Sequence, residues 1–174
     1  MRHTLRLHPD SLCAAARRIE ADIARPHPGS LVFSYVVSGR IGDLRLPPVV
    51  AAARADELWR HTCFEAFVGP SAGPEYYEFN FSPSTQWAVY QFSGYRSGMR
   101  VATEITAPRI EVRSSAETYT LQAALEFDGL SSPLHLGLSA VLEETNGRKS
   151  YWALAHPPGN ADFHHADCFT LEFS

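Results

Sequence analysis

Lysine is almost missing from this chain: Lys149 is the only one among 15 basic side chains, and 19 acids leave a net charge of −4. Without a basic cluster to neutralise a run of phosphates, nucleic acid is excluded as the expected partner. Cysteine is scarce as well. Cys13, Cys63 and Cys168 form an odd, scattered set with no disulfide framework and no paired zinc spacing, which suits a reducing compartment. No apolar run approaches the roughly 20 residues of a membrane-spanning helix, so no membrane contact is expected. The apolar run at 12–16 is shorter than a secretory core and lies among Arg2, Arg6, Asp10, Arg17 and Arg18; the expectation is a cytoplasmic protein. Internal repeats, low-complexity tracts and linkers are also missing. With 174 residues, the chain is expected to fold as one domain, 1–174, without help from metal or disulfide.

Aromatic residues, by contrast, are concentrated. Residues 56–95 hold two of the three tryptophans, five of the ten phenylalanines and four of the seven tyrosines. Over 59–68 the odd positions carry Trp59, His61, Cys63, Glu65 and Phe67, and the even ones from Thr62 carry Phe64, Ala66 and Val68. A strand with that period has one apolar face and one mixing polar groups with rings. Residues 75–82 repeat the split: Tyr77, Phe79 and Phe81 against Tyr76, Glu78, Asn80 and Ser82. Alternation alone fits a solvated face or a ligand-binding one. Large rings beside hydrogen-bonding groups are what a ligand face uses, and the stretch contains no lysine.

Period-two patterns recur along the chain. Residues 3–7, 19–24, 31–38, 110–113, 119–127, 134–143, 150–155 and 168–173 read as strands, with Pro and Gly in the connections. Residues 12–18 have the composition for a turn or two of helix, and 49–56 fit a helix or a loop. Asn146-Gly147 predicts a hairpin that sets Glu144 opposite Ser150. About ten strands at short spacing, with little helix, predict an all-β antiparallel β-sandwich, jelly-roll-like in form.

Three kinds of chemistry suggest themselves. His61, Cys63 and Glu65 are metal-ligand types on one strand face, although His61 and Glu65 are about 13 Å apart and cannot share an ion, so a third ligand would come from His164 or His165. Cys63 with a tail histidine would make a nucleophilic pair, but no helix N-terminus or basic cluster is there to activate the thiol. Glu65 and Glu78 on neighbouring strands fit hydrogen-bond acceptors for a ligand better than an acid and base pair. Residues 156–168 have no period and read as a loop that forms a lid or rim, or a plain surface connection anchored by Phe163. If it is extended, only one of His164 and His165 faces a site.

The segments ELWRHTCFEAFV, YYEFNFSPSTQWAVYQFSGYR and SYWALAHPPGNADFHHADCF together resemble the bacterial DOMON-like domain proteins, which are similar to family nine carbohydrate-binding modules. The resemblance centres on Trp59, Glu65 and Phe67, followed by Tyr76, Tyr77, Glu78, Phe79, Asn80, Phe81, Ser82 and Pro83. It implies a β-sandwich whose concave face or rim holds a ligand, sugar in some branches and haem in others. For a sugar, Trp59, Tyr76, Trp87 and Trp152 would stack, and Arg60, Glu65, Glu78 and Asn80 would take hydroxyls, with His61 and His164 beside them. For haem, the axial pair would be Met99 with His61 or His164. The leading expectation is non-catalytic binding of a small carbohydrate, with no cofactor required. Alternatives are a haem or divalent-metal protein, or a metal-dependent enzyme, built on His61, Cys63 and His164. A protein-partner module or homodimer covering the aromatic face is a third.

Overall fold

The computed structural model describes residues 1–127 and 133–173. Twelve strands follow one another: β1 His3–Leu7, β2 Ala16–Ala24, β3 Ser30–Gly39, β4 Cys63–Pro70, β5 Tyr76–Phe81, β6 Trp87–Phe92, β7 Arg100–Val101, β8 Arg109–Ser114, β9 Thr118–Glu126, β10 Leu134–Glu143, β11 Lys149–Ala153 and β12 Leu171–Phe173. All pairings between them are antiparallel. The expected all-β class is therefore the observed one, and the only helical pieces among the described residues are three short 3-10 turns.

The strand order β7-β6-β5-β4-β10-β11-β1-β2-β3-β9-β8 folds over into two facing layers. β1 belongs to both. Its His3, Thr4 and Leu5 pair with β2, and its Arg6 and Leu7 pair with Ala153 and Trp152 of β11. β12 extends the second layer by pairing with the first residues of β10, beyond the end of β11.

The two layers use the period-two pattern differently. In β2 and β9 buried and accessible positions alternate, so one face meets the core and the other meets water. In β4 and β5 nearly every residue is buried. Their inner faces, with Phe64, Phe79 and Phe81, meet Phe33 and Tyr35 of β3 across the sandwich; Phe33 lies 5.7 Å from each of Phe79 and Phe81, and Tyr35 lies 5.1 Å from Phe64. Their outer faces, with Cys63, Glu65, Phe67, Tyr76, Glu78 and Asn80, carry a second apolar cluster. The connection after β11 covers that cluster with Phe163 and Phe169, so the outer face of this sheet is a second interior.

Several local expectations are corrected, and one left open is decided. Strand β4 starts at Cys63, because the chain before it turns through Glu57, a non-glycine residue at φ +60, into a 3-10 turn at Leu58–Arg60. Residues 12–18 form no helix: the N–H groups of Ala14 and Ala15 both donate to buried Glu144 Oε1 at 2.9 Å, and β2 begins at Ala16. Residues 49–56 form a loop, with an isolated bridge from Arg54 to Trp87. Ser150 pairs with Leu142 and Lys149 with Glu143, because the hairpin uses a three-residue loop ending on Gly147 at φ +84. The Glu144 N–H then donates to the Arg148 carbonyl at 2.8 Å.

One bond ties the core to the outer face. The Tyr35 hydroxyl crosses the sandwich and donates to the backbone carbonyl of Glu65 at 2.6 Å, both groups being buried. Tyr35→Phe should cost about 1–2 kcal/mol in urea unfolding, the range for a buried hydrogen bond whose acceptor is left unpaired. A midpoint equal to that of the native chain would mean that the hydroxyl contributes nothing.

Candidate functional site

The outer faces of β4, β5 and β6 form the floor of a cleft of about 1020 Å³. Cross-strand register decides what lies there. Glu65 is opposite Asn80, Phe67 is opposite Glu78, and Glu78 is opposite Tyr90. Glu65 and Glu78 are therefore diagonal neighbours on adjacent strands, 3% and 6% exposed. Phe92, Val141, Tyr151 and Phe163 wall the cleft, and Trp59 and Met99 stand at its mouth. Trp59 is 47% exposed and is backed by Arg60, whose guanidinium lies 5.4 Å from the ring centre.

Burial raises the pKa of both acids, since an ionised carboxylate loses its hydration there. Glu65 is pushed well above the usual range by burial first and by the neighbouring Glu78 second. Glu78 is raised by burial too, but the Asn80 amide and the charge of Arg96 pull it back. Glu78 Oε1 accepts from Asn80 Nδ2 at 2.8 Å, and its Oε2 lies 3.6 Å from His164 Nε2. Glu65 Oε1 is buried without any hydrogen-bond partner.

His164 sits among Phe67, Tyr76 and Phe92, with ring centres 5.0 to 5.8 Å away. Burial, then the nearby Arg96, hold it down at about 4, against a smaller opposing pull from Asp162. It is therefore neutral at physiological pH. Its Nδ1 is 2.7 Å from the Tyr76 hydroxyl, whose oxygen also accepts the Arg96 backbone N–H at 3.2 Å. The tautomer that suits both neighbours accepts from Tyr76 at Nδ1 and points its Nε2–H towards Glu78. Arg96 is fixed by Asp162 at 2.8 Å.

The candidate residues fall into three groups. Trp59, Arg60, Glu65, Glu78 and His164 line the cleft. Tyr76 and Asn80 lie behind it and position His164 and Glu78. Trp87, Trp152 and His61 do not belong to it. Trp87, 4% exposed, has the inward parity of Phe81 opposite it and stacks under Arg54, 4.1 Å away. Trp152, 5% exposed, is equally inward, and its indole N–H donates to Ser150 Oγ at 3.0 Å. Neither indole can stack on a ligand. His61 lies before the strand, exposed, with Nδ1 2.7 Å from Glu143 Oε2.

That placement also separates the metal-ligand trio. Cys63 is buried against the Asn80 carbonyl oxygen, His61 points to Glu143, and both nitrogens of His164 face partners. Among the described residues no group of three or more His, Cys, Asp or Glu could hold an ion. A haem fares no better, since His164 has no free nitrogen and His61 does not line the cleft.

Sequence reasoning missed Tyr90, Arg96, Tyr151 and the floor's closeness to Asp56, which accepts from the Tyr90 hydroxyl at 2.8 Å. Tyr90 had a signal, because the residue paired with an outward Glu78 must itself point outward. Arg96 had none: it occupies a turn at φ +50, and only the fold brings it to Tyr76.

No family model and no curated protein matches the chain. Solved structures do resemble it. A protein from Bacteroides uniformis, provisionally described as carbohydrate-binding, matches over 100% of this chain and 86% of its own with a TM-score of 0.63 at 14% identity. A family nine carbohydrate-binding module from Caldicellulosiruptor kristjanssonii, solved with cellotriose, matches over 92% of this chain and 75% of its own with a TM-score of 0.54 at 10% identity. At such identities the likeness establishes a shared sandwich fold.

The depressed His164 has a measurable consequence. Between pH 6.5 and about 4 the unfolded chain takes up a proton that the folded chain refuses. Its contribution to stability is thus full above pH 6.5 and is lost as the pH falls towards 4. His164→Gln removes this loss, so the stability advantage of the native chain over the variant should shrink by up to about 3 kcal/mol from pH 7 to pH 4. A gap that stays constant in urea titrations at both pH values would show that the folded chain protonates His164 normally.

Proposed function

We propose that the chain is a non-catalytic carbohydrate-binding protein whose cleft takes a short glycan, with Glu65 and Glu78 at the floor and Trp59 at the mouth. The observation that carries this reading is the pair of buried carboxyl groups opening into a ring-walled cleft, one with an oxygen that no protein group uses. Burying such an oxygen without a partner is costly, and a ligand donor relieves that cost. Rings cover the apolar faces of a pyranose while the acids order its hydroxyls. The cello-oligosaccharide held by the Caldicellulosiruptor module on the same fold supports this ligand class. The DOMON-like resemblance of the 59–83 pattern fits the same reading, and so do an intracellular location and a soluble glycan as target.

Several features speak for binding without turnover. The cysteine nearest the floor, Cys63, has its thiol pushed up by burial and by Glu65, which leaves it a poor nucleophile. His164 is occupied on both sides and is too weak a base to accept a proton at neutral pH.

Calorimetric titration with cellotriose and related trisaccharides tests the proposal. Glu78→Gln preserves shape but replaces an acceptor oxygen with an amide nitrogen that can only donate, and should weaken binding at least tenfold, about 1.4 kcal/mol. Trp59→Ala should weaken it about three- to tenfold through lost ring contact. Binding that both variants leave untouched would place the ligand elsewhere on the protein.

A further inference from the structure

We infer that the floor of this cleft is an amine subsite, in which Glu65 and Glu78 receive the ammonium group of an amino sugar. The identity of the sugar rests on the carbohydrate reading above; the amine subsite rests on the floor alone.

The floor offers acceptors and almost no donors. Asn80 gives one of its two amide hydrogens to Glu78, and its carbonyl oxygen faces the Cys63 thiol. The His164 Nε2–H points at Glu78 Oε2 as well. A sugar hydroxyl both donates and accepts, so it would find its donor hydrogen welcomed and its oxygen unserved. An ammonium has three donors and no acceptor, which is what two carboxyl groups with a free oxygen call for.

Charge points the same way. Among the described residues no arginine or lysine forms an ion pair with Glu65 or Glu78. Arg60 is held by Glu57 at 2.7 Å and Arg96 by Asp162 at 2.8 Å. Lys149 stands at the boundary with a neighbouring, smaller cavity. Structural acids buried this deeply are ordinarily matched by a cation of the same chain. Here no such pair is made: Arg96, bonded to Asp162, acts on Glu78 only through its charge at a distance, and a ligand cation would complete the match. The other ionisable groups facing the pair are Cys63 beside Glu65, Tyr90 and Tyr76 beside Glu78, His164 above it, and Tyr35 from the core side. None of these supplies a positive charge at neutral pH.

Three trisaccharides with one backbone make the test: cellotriose, the β-1,4-linked trimer of glucosamine, and its fully N-acetylated form, each titrated calorimetrically into the intact protein. The expected result is at least tenfold tighter binding of the free amine than of either neutral trimer. Glu65→Gln, checked for a native melting curve, should bring the three affinities to within about twofold of one another. The preference should survive about 0.5 M salt, where the Debye length is roughly 4 Å, because both acids are almost wholly buried. Equal binding of cellotriose and the amine trimer would overturn the amine subsite and leave the carbohydrate reading standing. A preference that vanishes in salt, or persists in Glu65→Gln, would assign it to the net negative surface and likewise overturn the subsite. Binding of methylammonium with no trisaccharide bound at all would keep the subsite and discard the carbohydrate reading.

Discussion

The cost of holding two carboxylic acids out of water, side by side, is the constraint around which the second sheet is arranged. Strands β4 and β5 bring Glu65 and Glu78 together by register, and each strand is pressed against the core on its other face, so neither acid can swing away. The polar neighbours are committed accordingly. Asn80 serves Glu78, His164 stands over it, Tyr76 orients His164, and the Arg96 backbone steadies Tyr76. The chain of support ends on Asp162, which holds the Arg96 side chain and the backbone N–H of His164. What remains unserved is Glu65 Oε1, on a residue that lines the cleft.

The outer layer over this sheet shows how a sandwich acquires a second interior. The first sheet keeps one face wet, and its strands alternate in burial as half-exposed strands do. The second sheet has Phe67, Tyr76, Tyr90 and Phe92 on its outer face, too much apolar surface to leave bare. The long connection between β11 and β12 lays Phe163, His164 and Phe169 across it. That cover is incomplete on the side of Trp59 and Met99, and the gap is the cleft. Site and second core are thus the same packing problem, solved over most of the face and left open over the rest.

Much of this was legible in the sequence because strands write their faces in a period of two. The division of 63–68 and 76–81 into inner and outer sets follows from parity alone, and with it the meeting of Glu65 and Glu78. Aromatic content, however, does not reveal parity. Trp87 and Trp152 look like stacking platforms by type, yet their strands turn them into the core beside Phe81 and Ala140. His61 looks like a continuation of β4 until the turn at Glu57 interrupts the strand. Residues from turns, such as Arg96, carry no period at all, so only the tertiary fold gives them neighbours. The helical propensity of 12–18 yields to a single buried acid, Glu144, which offers the backbone a better partner than a helix would.

Strand β1 is shared by both layers, and its final pairing joins Leu7 to Trp152 across almost the whole length of the chain. During synthesis, the first strand can join β2 and β3 early, but Arg6 and Leu7 must wait unpaired until β11 has left the ribosome. At about 5–20 residues per second that delay is on the order of ten seconds. Closure of the sandwich is therefore a late, non-local event, of the kind that slows folding in proteins dominated by distant strand pairs. Through that interval the growing chain presents an open strand edge, where the charges of Arg2 and Arg6 discourage pairing with a neighbour.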